Sequence, residues 1–103
     1  MEFLYTLKLF SRLQKVDAWT KEDETIVATH FNNLKKLTEE GIVVLAGRTL
    51  REDPGDFGIV ILDVEDEEEA RKLMETDLAV EQGIMTAKLY PFRVALIKDQ
   101  PTQ

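Results

Sequence analysis

The sequence predicts an α+β fold in the order β-α-β-β-α-β, on three observations. Four segments of strand length, "EFLYTLKLF", "IVVLAGRTL", "FGIVILDV" and "IMTAKLYPFRVALI", are rich in β-branched and aromatic residues. Two others, "IVATHFNNLKKLTEEG" and "EEEARKLMET", carry apolar residues at helical spacing. Turn residues and a glycine stop separate them. With 103 residues the chain is read as one domain over 1–98, followed by a loose tail over 99–103.

In the first strand Phe3, Tyr5, Leu7 and Leu9 alternate with Thr6 and Lys8, which gives it one apolar face. "SRLQKVDAW" breaks that alternation and reads as a loop. Thr20, followed three residues later by Asp23, suits a helix N-cap, and the acidic first turn suits the helix dipole. The first helix runs to about Glu40, with Gly41 as its stop. The second and third strands form a hairpin through "REDPGD", where Pro54 and Gly55 fit the central positions of a type II turn. An acidic run from Asp63 to Glu69 leads into the second helix, which turns Ala70, Leu73 and Met74 inward, and "DLAVEQG" closes it as a short extension or turn. Pro91 interrupts the last strand and implies an edge position or a bulge.

This order is the ferredoxin-like plan: an antiparallel sheet with both helices on one face. The third strand is apolar on both faces, Phe57, Ile59 and Ile61 alternating with Val60, Leu62 and Val64. A sheet covered on one face should show polar residues on the other. The expected cover is a second copy of the chain, packed sheet to sheet as a homodimeric α+β barrel, with the segment after Pro91 crossing to the partner.

Several function classes are disfavoured. A net charge of −7 argues against nucleic acid, whose phosphates call for a basic face. No apolar run approaches the ~20 residues that span a bilayer, and no signal peptide is visible, so no membrane partner and a cytoplasmic location are expected. There is no cysteine and one histidine, so no metal site is expected, and no cofactor.

The histidine is the chemically interesting residue. Val27, His30, Leu34 and Leu37 form one stripe on the first helix, broadened by Ile26 and Phe31, so His30 stands where an aliphatic side chain would be expected. It is either a packed histidine bonded to a backbone carbonyl or an acid–base group at a cleft between helix and sheet. The second role needs a carboxylate to orient the ring. Asp77, at the end of the second helix, opposes the helix dipole, which suits either a cap of the "DLAV" turn or a site residue.

The strand "FLYTLKL", the block "THFNNLKKLTEEGIVVLAG", the segment "FGIVILDVEDEEEARKLMETD" and the closing "GIMTAKLYPFRVAL" together resemble the YciI-like (YCII-related) family over nearly the whole chain. His30, Leu34, Leu37, Gly41, Ala46 and Gly47 fit the first part of its pattern, and Asp77, Gly83 and "YPFRVAL" the second. The resemblance implies the ferredoxin-like fold, the dimeric barrel, and a His–Asp pair at His30 and Asp77. Two positions depart from the family's pattern. Arg48 replaces the proline after "AG", and Leu78 replaces the proline after the aspartate, weakening the expectation for Asp77's orientation.

Arg48 is a candidate for holding a carboxylate or phenolate, or else an exposed residue paired with Glu52 or Asp53. Tyr5 is a second substrate-binding candidate, or core. Trp19 reads as a hydrophobic staple before the N-cap rather than a lid. The leading functional expectation is a small-molecule enzyme of lyase, isomerase or dehydrohalogenase type, since the family includes a dehydrochlorinase of a chlorinated hydroxyquinol. It would use a His–Asp pair on a small anionic or phenolic substrate. The alternatives are a non-catalytic small-molecule-binding or accessory dimer and, more weakly, a cofactor-free oxygenase.

Overall fold

The structure, a computed structural model, describes residues 1–98; the tail 99–103 of the sequence reading lies outside them. Four strands, β1 (Glu2–Leu9), β2 (Val43–Arg48), β3 (Gly58–Asp63) and β4 (Met85–Pro91), form one sheet in the order β2-β3-β1-β4, with every neighbouring pair antiparallel. Helix α1 (Lys21–Glu39) connects β1 to β2, while α2 (Glu67–Thr76) and the short α3 (Leu78–Glu81) connect β3 to β4. This is the ferredoxin-like plan.

Helix α1 starts where the sequence marks it. The Thr20 hydroxyl accepts from the Asp23 amide and the Asp23 carboxylate accepts from the Thr20 amide, a complete capping box. It ends in a Schellman closure: Gly41 at φ 82° donates to Thr38 O, and Ile42 donates to Leu37 O at 2.9 Å. Only the flank of the expected stripe differs. Phe31 follows His30 by 100° of helical rotation and is exposed, while Ile26 and Val27 are half-buried against the core.

The helix-facing side of the sheet carries Phe3, Tyr5, Leu7, Val43, Val60 and Leu62, all buried with Leu34, Ala70 and Met74 of the helices. A smaller cluster of Leu13, Ala79 and Ile84 lies against Trp19 and Val27. That cluster explains why the segment read as a loop contains two 3-10 turns, Ser11–Gln14 and Val16–Ala18. Burying Leu13 draws the chain inward, and its carbonyl accepts the Trp19 indole N–H at 3.1 Å.

Two further expectations are corrected. The Asp53–Asp56 turn closes through Asp56 N–H to Asp53 O at 3.0 Å, but Gly55 is not at positive φ, so the turn is not type II. The Asp53 side chain instead accepts from the Gly55 amide, and a Cβ at Gly55 would approach the Asp53 carboxylate and the Arg51 guanidinium to within 3.0–3.2 Å. Strand β4 lies at the sheet edge, as Pro91 implied, but it ends at Pro91 instead of running on, and residues 92–98 continue without regular structure. Pro91 has no N–H for a ladder, and the Phe92 and Val94 amides turn to the backbone and side chain of Glu2.

The opposite sheet face presents Ile59, Ile61, Leu45 and Tyr90 beside Thr6, Lys8 and Lys88. The sequence reading left no element to cover this face. Residues 92–97 in fact lie against one end of it, sharing a hollow of about 300 Å³ with Val44, Leu45 and Ile61, which is why Ile61 is buried. Leu96 and Ile97 stay exposed.

Candidate active site

Helix α1, strand β1 and the α2–α3 junction bring three polar side chains together beneath the helices. His30 comes from the inward stripe of α1. Tyr5 comes from the centre of β1, where it pairs with Val60 on one side and Leu89 on the other. Asp77 sits between α2 and α3 in an extended conformation that no longer belongs to α2 and already caps α3. The sequence posed its role as a choice between cap and site residue; its carboxylate caps α3 and also meets His30 and Tyr5.

Asp77 Oδ1 lies 2.5 Å from His30 Nδ1 and accepts the Ala79 amide at 3.1 Å, while Oδ2 accepts the Tyr5 hydroxyl at 2.8 Å. The imidazole and carboxylate side chains are 9% and 4% exposed, so the pair is sheltered from water. A carboxylate only accepts, which places the imidazole proton facing it on Nδ1. Among the described residues no buried side-chain nitrogen or oxygen lacks a partner, and the imidazole bonds through Nδ1. Nε2 is therefore the nitrogen that this bond leaves uncommitted. The arrangement suits proton exchange at Nε2, with Asp77 fixing the tautomer and balancing an imidazolium.

Burial pushes the Tyr5 phenol well above its usual range, and the charge and hydrogen bond of Asp77 add to the effect. A pKa higher in the folded than in the unfolded state contributes stability that is complete below about pH 10 and lost as pH rises beyond it. Alkaline titration should accordingly show the Tyr5 phenolate appearing together with loss of secondary structure. Tyr5→Phe should flatten the fall in stability above pH 10.

A cleft of about 390 Å³ opens next to this group. Leu7, Leu9, Trp19, Val27 and Met85 give it apolar walls, and Arg48, Asp56 and Phe57 stand at its β2–β3 end. Val27 is one turn from His30 on α1, and Leu7 is the next inward residue after Tyr5 on β1. His30, Asp77 and Tyr5 do not themselves line the cleft.

Trp19 is one of the cleft's walls. The staple read from the sequence would pair it with the fourth helical residue, and that residue is Glu24. The Arg48 guanidinium is exposed and sits 3.4 Å from Asp56, not from Glu52 or Asp53; Asp53 is taken by Arg51 at 2.8 Å. Thr49 donates to Asp56, and this bond chiefly holds the Asp56 carboxyl below the usual carboxylate range. No group of three or more His, Asp or Glu side chains able to hold a metal occurs among the described residues. No helix among them is long and apolar enough to cross a membrane.

The YCII-related domain matches residues 8–93. The chain belongs to the YCII-related family. Among solved structures it is similar to the 5-chloro-2-hydroxyhydroquinone dehydrochlorinase of Burkholderia phenoliruptrix in complex with 2,5-dihydroxybenzoquinone. That likeness has a TM-score of 0.67 at 19% identity, over 90% of this chain and 94% of the other, and it establishes a shared fold. No curated protein matches the sequence.

The sequence pointed to His30, Asp77, Arg48 and Tyr5. The structure joins His30, Asp77 and Tyr5 in one hydrogen-bonded group and sets Arg48 apart, at the cleft. Asp56, which meets Arg48 at the cleft, was passed over as a turn residue, and Thr49, which donates to Asp56, as the end of the second strand. The only signal for them is their position flanking the hairpin turn.

Proposed function

We propose that this YCII-related protein is a small-molecule enzyme in which His30 exchanges a proton with substrate through Nε2. Asp77 orients the ring and stabilises its imidazolium, and the substrate is a small anionic or phenolic compound. The observation that carries this reading is the buried 2.5 Å contact between His30 Nδ1 and Asp77, which engages Nδ1 and leaves Nε2 for the proton exchange. A packed structural histidine needs one hydrogen bond to a carbonyl; it has no use for a carboxylate shared with a helix cap.

The reaction class is proton-coupled elimination or isomerisation. In an elimination, a substrate hydroxyl or C–H gives its proton to Nε2 while the electron pair left behind expels an anionic leaving group. The apolar cleft would take a ring or short chain. Arg48, once released from its long contact with Asp56, would hold the negative charge by a charge-assisted hydrogen bond. The dehydrochlorination named for the structural neighbour is chemistry of this kind on the same fold, and it supports the class, not the compound.

The protein is further proposed to act in the cytoplasm as a homodimer. Two copies would pack through the sheet face carrying Ile59, Leu45 and Tyr90, together with the exposed Leu96 and Ile97 of the terminal segment. A second reading, a binding or accessory dimer without turnover, draws on one observation: the pair does not line the cleft.

Halogenated hydroquinones and related phenols, offered to the wild type and to His30→Gln, separate the two readings. Halide or product release by the wild type alone, with the variant folded and still binding, supports the enzyme. Binding by both with release by neither supports the accessory role.

A further inference from the structure

We propose that Tyr5 is a positioning residue of the His30–Asp77 pair, acting through Asp77 Oδ2 rather than on a ligand. This rests on the acid–base reading of that pair. The neighbours of Tyr5 in the sheet and beneath the helices are apolar, including Phe3, Leu7, Val60 and Leu89. Packing alone would be served by phenylalanine there, because a buried hydroxyl costs free energy unless it is bonded. Tyr5 is 2% exposed, and its hydroxyl has one use, the 2.8 Å bond to Asp77.

That bond fills a specific vacancy in the carboxylate's coordination. Oδ1 already serves both His30 and the α3 cap, and Oδ2 has the Tyr5 hydroxyl. Without it, the carboxylate would keep one sheltered oxygen unpaired and be free to turn about its own axis. With it, the carboxylate plane is fixed from a central strand, and so is the line along which the imidazole N–H must point. Two donors to one carboxylate also share its basicity. Tyr5 therefore sets how strongly Asp77 draws the Nδ1 proton of His30.

Few other groups complicate this relation. The helix-facing residues of β3 and β4 at this level, Val60, Leu62, Ala87 and Leu89, are apolar. Asp23, two turns before His30 on α1, is engaged in the capping box, and Glu81 of α3 is exposed.

The single histidine makes the test direct. In protein labelled with ¹⁵N-histidine, the Nδ1–H proton resonance of His30 is recorded in wild type, in Tyr5→Phe, and in Tyr90→Phe carrying fluorotyrosine at the remaining position 5. Removing the hydroxyl concentrates the acceptor strength of Asp77 on His30 and should move the resonance downfield. Fluorotyrosine, the stronger donor, should move it upfield. A residue that merely packs cannot produce opposite shifts from two near-isosteric changes.

Resonances that stay in place in both proteins overturn the proposal while leaving the His30–Asp77 pair intact. Absence of an Nδ1–H proton in the wild type overturns the pair and the proposal together. If Tyr5→Phe fails to fold, the fluorotyrosine protein decides alone: an upfield shift sustains the role of Tyr5, and none refutes it.

Discussion

Asp77→Ala is expected to remove about 2–5 kcal/mol of folding stability, since each buried donor left without an acceptor costs about 1–3 kcal/mol. Three donors lose their acceptor at once: the His30 imidazole, the Tyr5 hydroxyl and the Ala79 amide that starts α3. The first two are buried, so water cannot fully replace the lost bonds. Because domains of this size are stable by only about 5–15 kcal/mol, the loss is a large share of the total. Urea denaturation measures it, and Asp77→Asn provides the contrast. Asparagine keeps the shape and an oxygen for the α3 cap, so it should be clearly milder. Equal losses from the two substitutions would mean that the carboxylate's charge, not the cap or the packing, carries the stability.

The second large effect is on turnover. His30→Gln should lower kcat by about 10²–10⁴-fold, the usual contribution of a positioned acid–base group. It should leave KM nearly unchanged, because the cleft that would hold substrate is lined by other residues. Glutamine can still donate to Asp77, so the protein should remain folded, and circular dichroism and sedimentation check that it does. A variant that is folded but as active as wild type would remove His30 from the chemistry.

Much of this arrangement was legible in the sequence because periodicity reports direction. The stripe Val27–His30–Leu34–Leu37 put the imidazole on the inward face, and the alternation of Phe3, Tyr5 and Leu7 put the phenol on the inner face of β1. Asp77 stood out as an acid at a helix C-terminus, and the family pattern joined it to His30.

The bond between Tyr5 and Asp77 was not legible. Seventy-two residues separate them, and strand phase says that a tyrosine points inward without saying what it meets. The hairpin turn was misjudged for a local reason, since Pro-Gly suits more than one turn type and the Asp53 side chain decided between them. The covering of Ile61 was missed because residues 92–97 continue the composition of a strand after Pro91 but leave its ladder, the Phe92 and Val94 amides both turning to Glu2. Partners of exposed side chains are the least legible: Arg48 had acids at positions 52, 53 and 56 within reach, and only the path of the turn selects Asp56.

The central claim is that Asp77 orients His30 so that Nε2 is its working nitrogen. ¹⁵N NMR of the single histidine, recorded across its titration in wild type and in Asp77→Asn, tests this most directly. The account predicts a neutral imidazole protonated at Nδ1, with the proton gained and lost at Nε2, and a change of that tautomer when the carboxylate becomes an amide. A neutral wild-type ring protonated at Nε2, or a tautomer indifferent to Asp77→Asn, would contradict it.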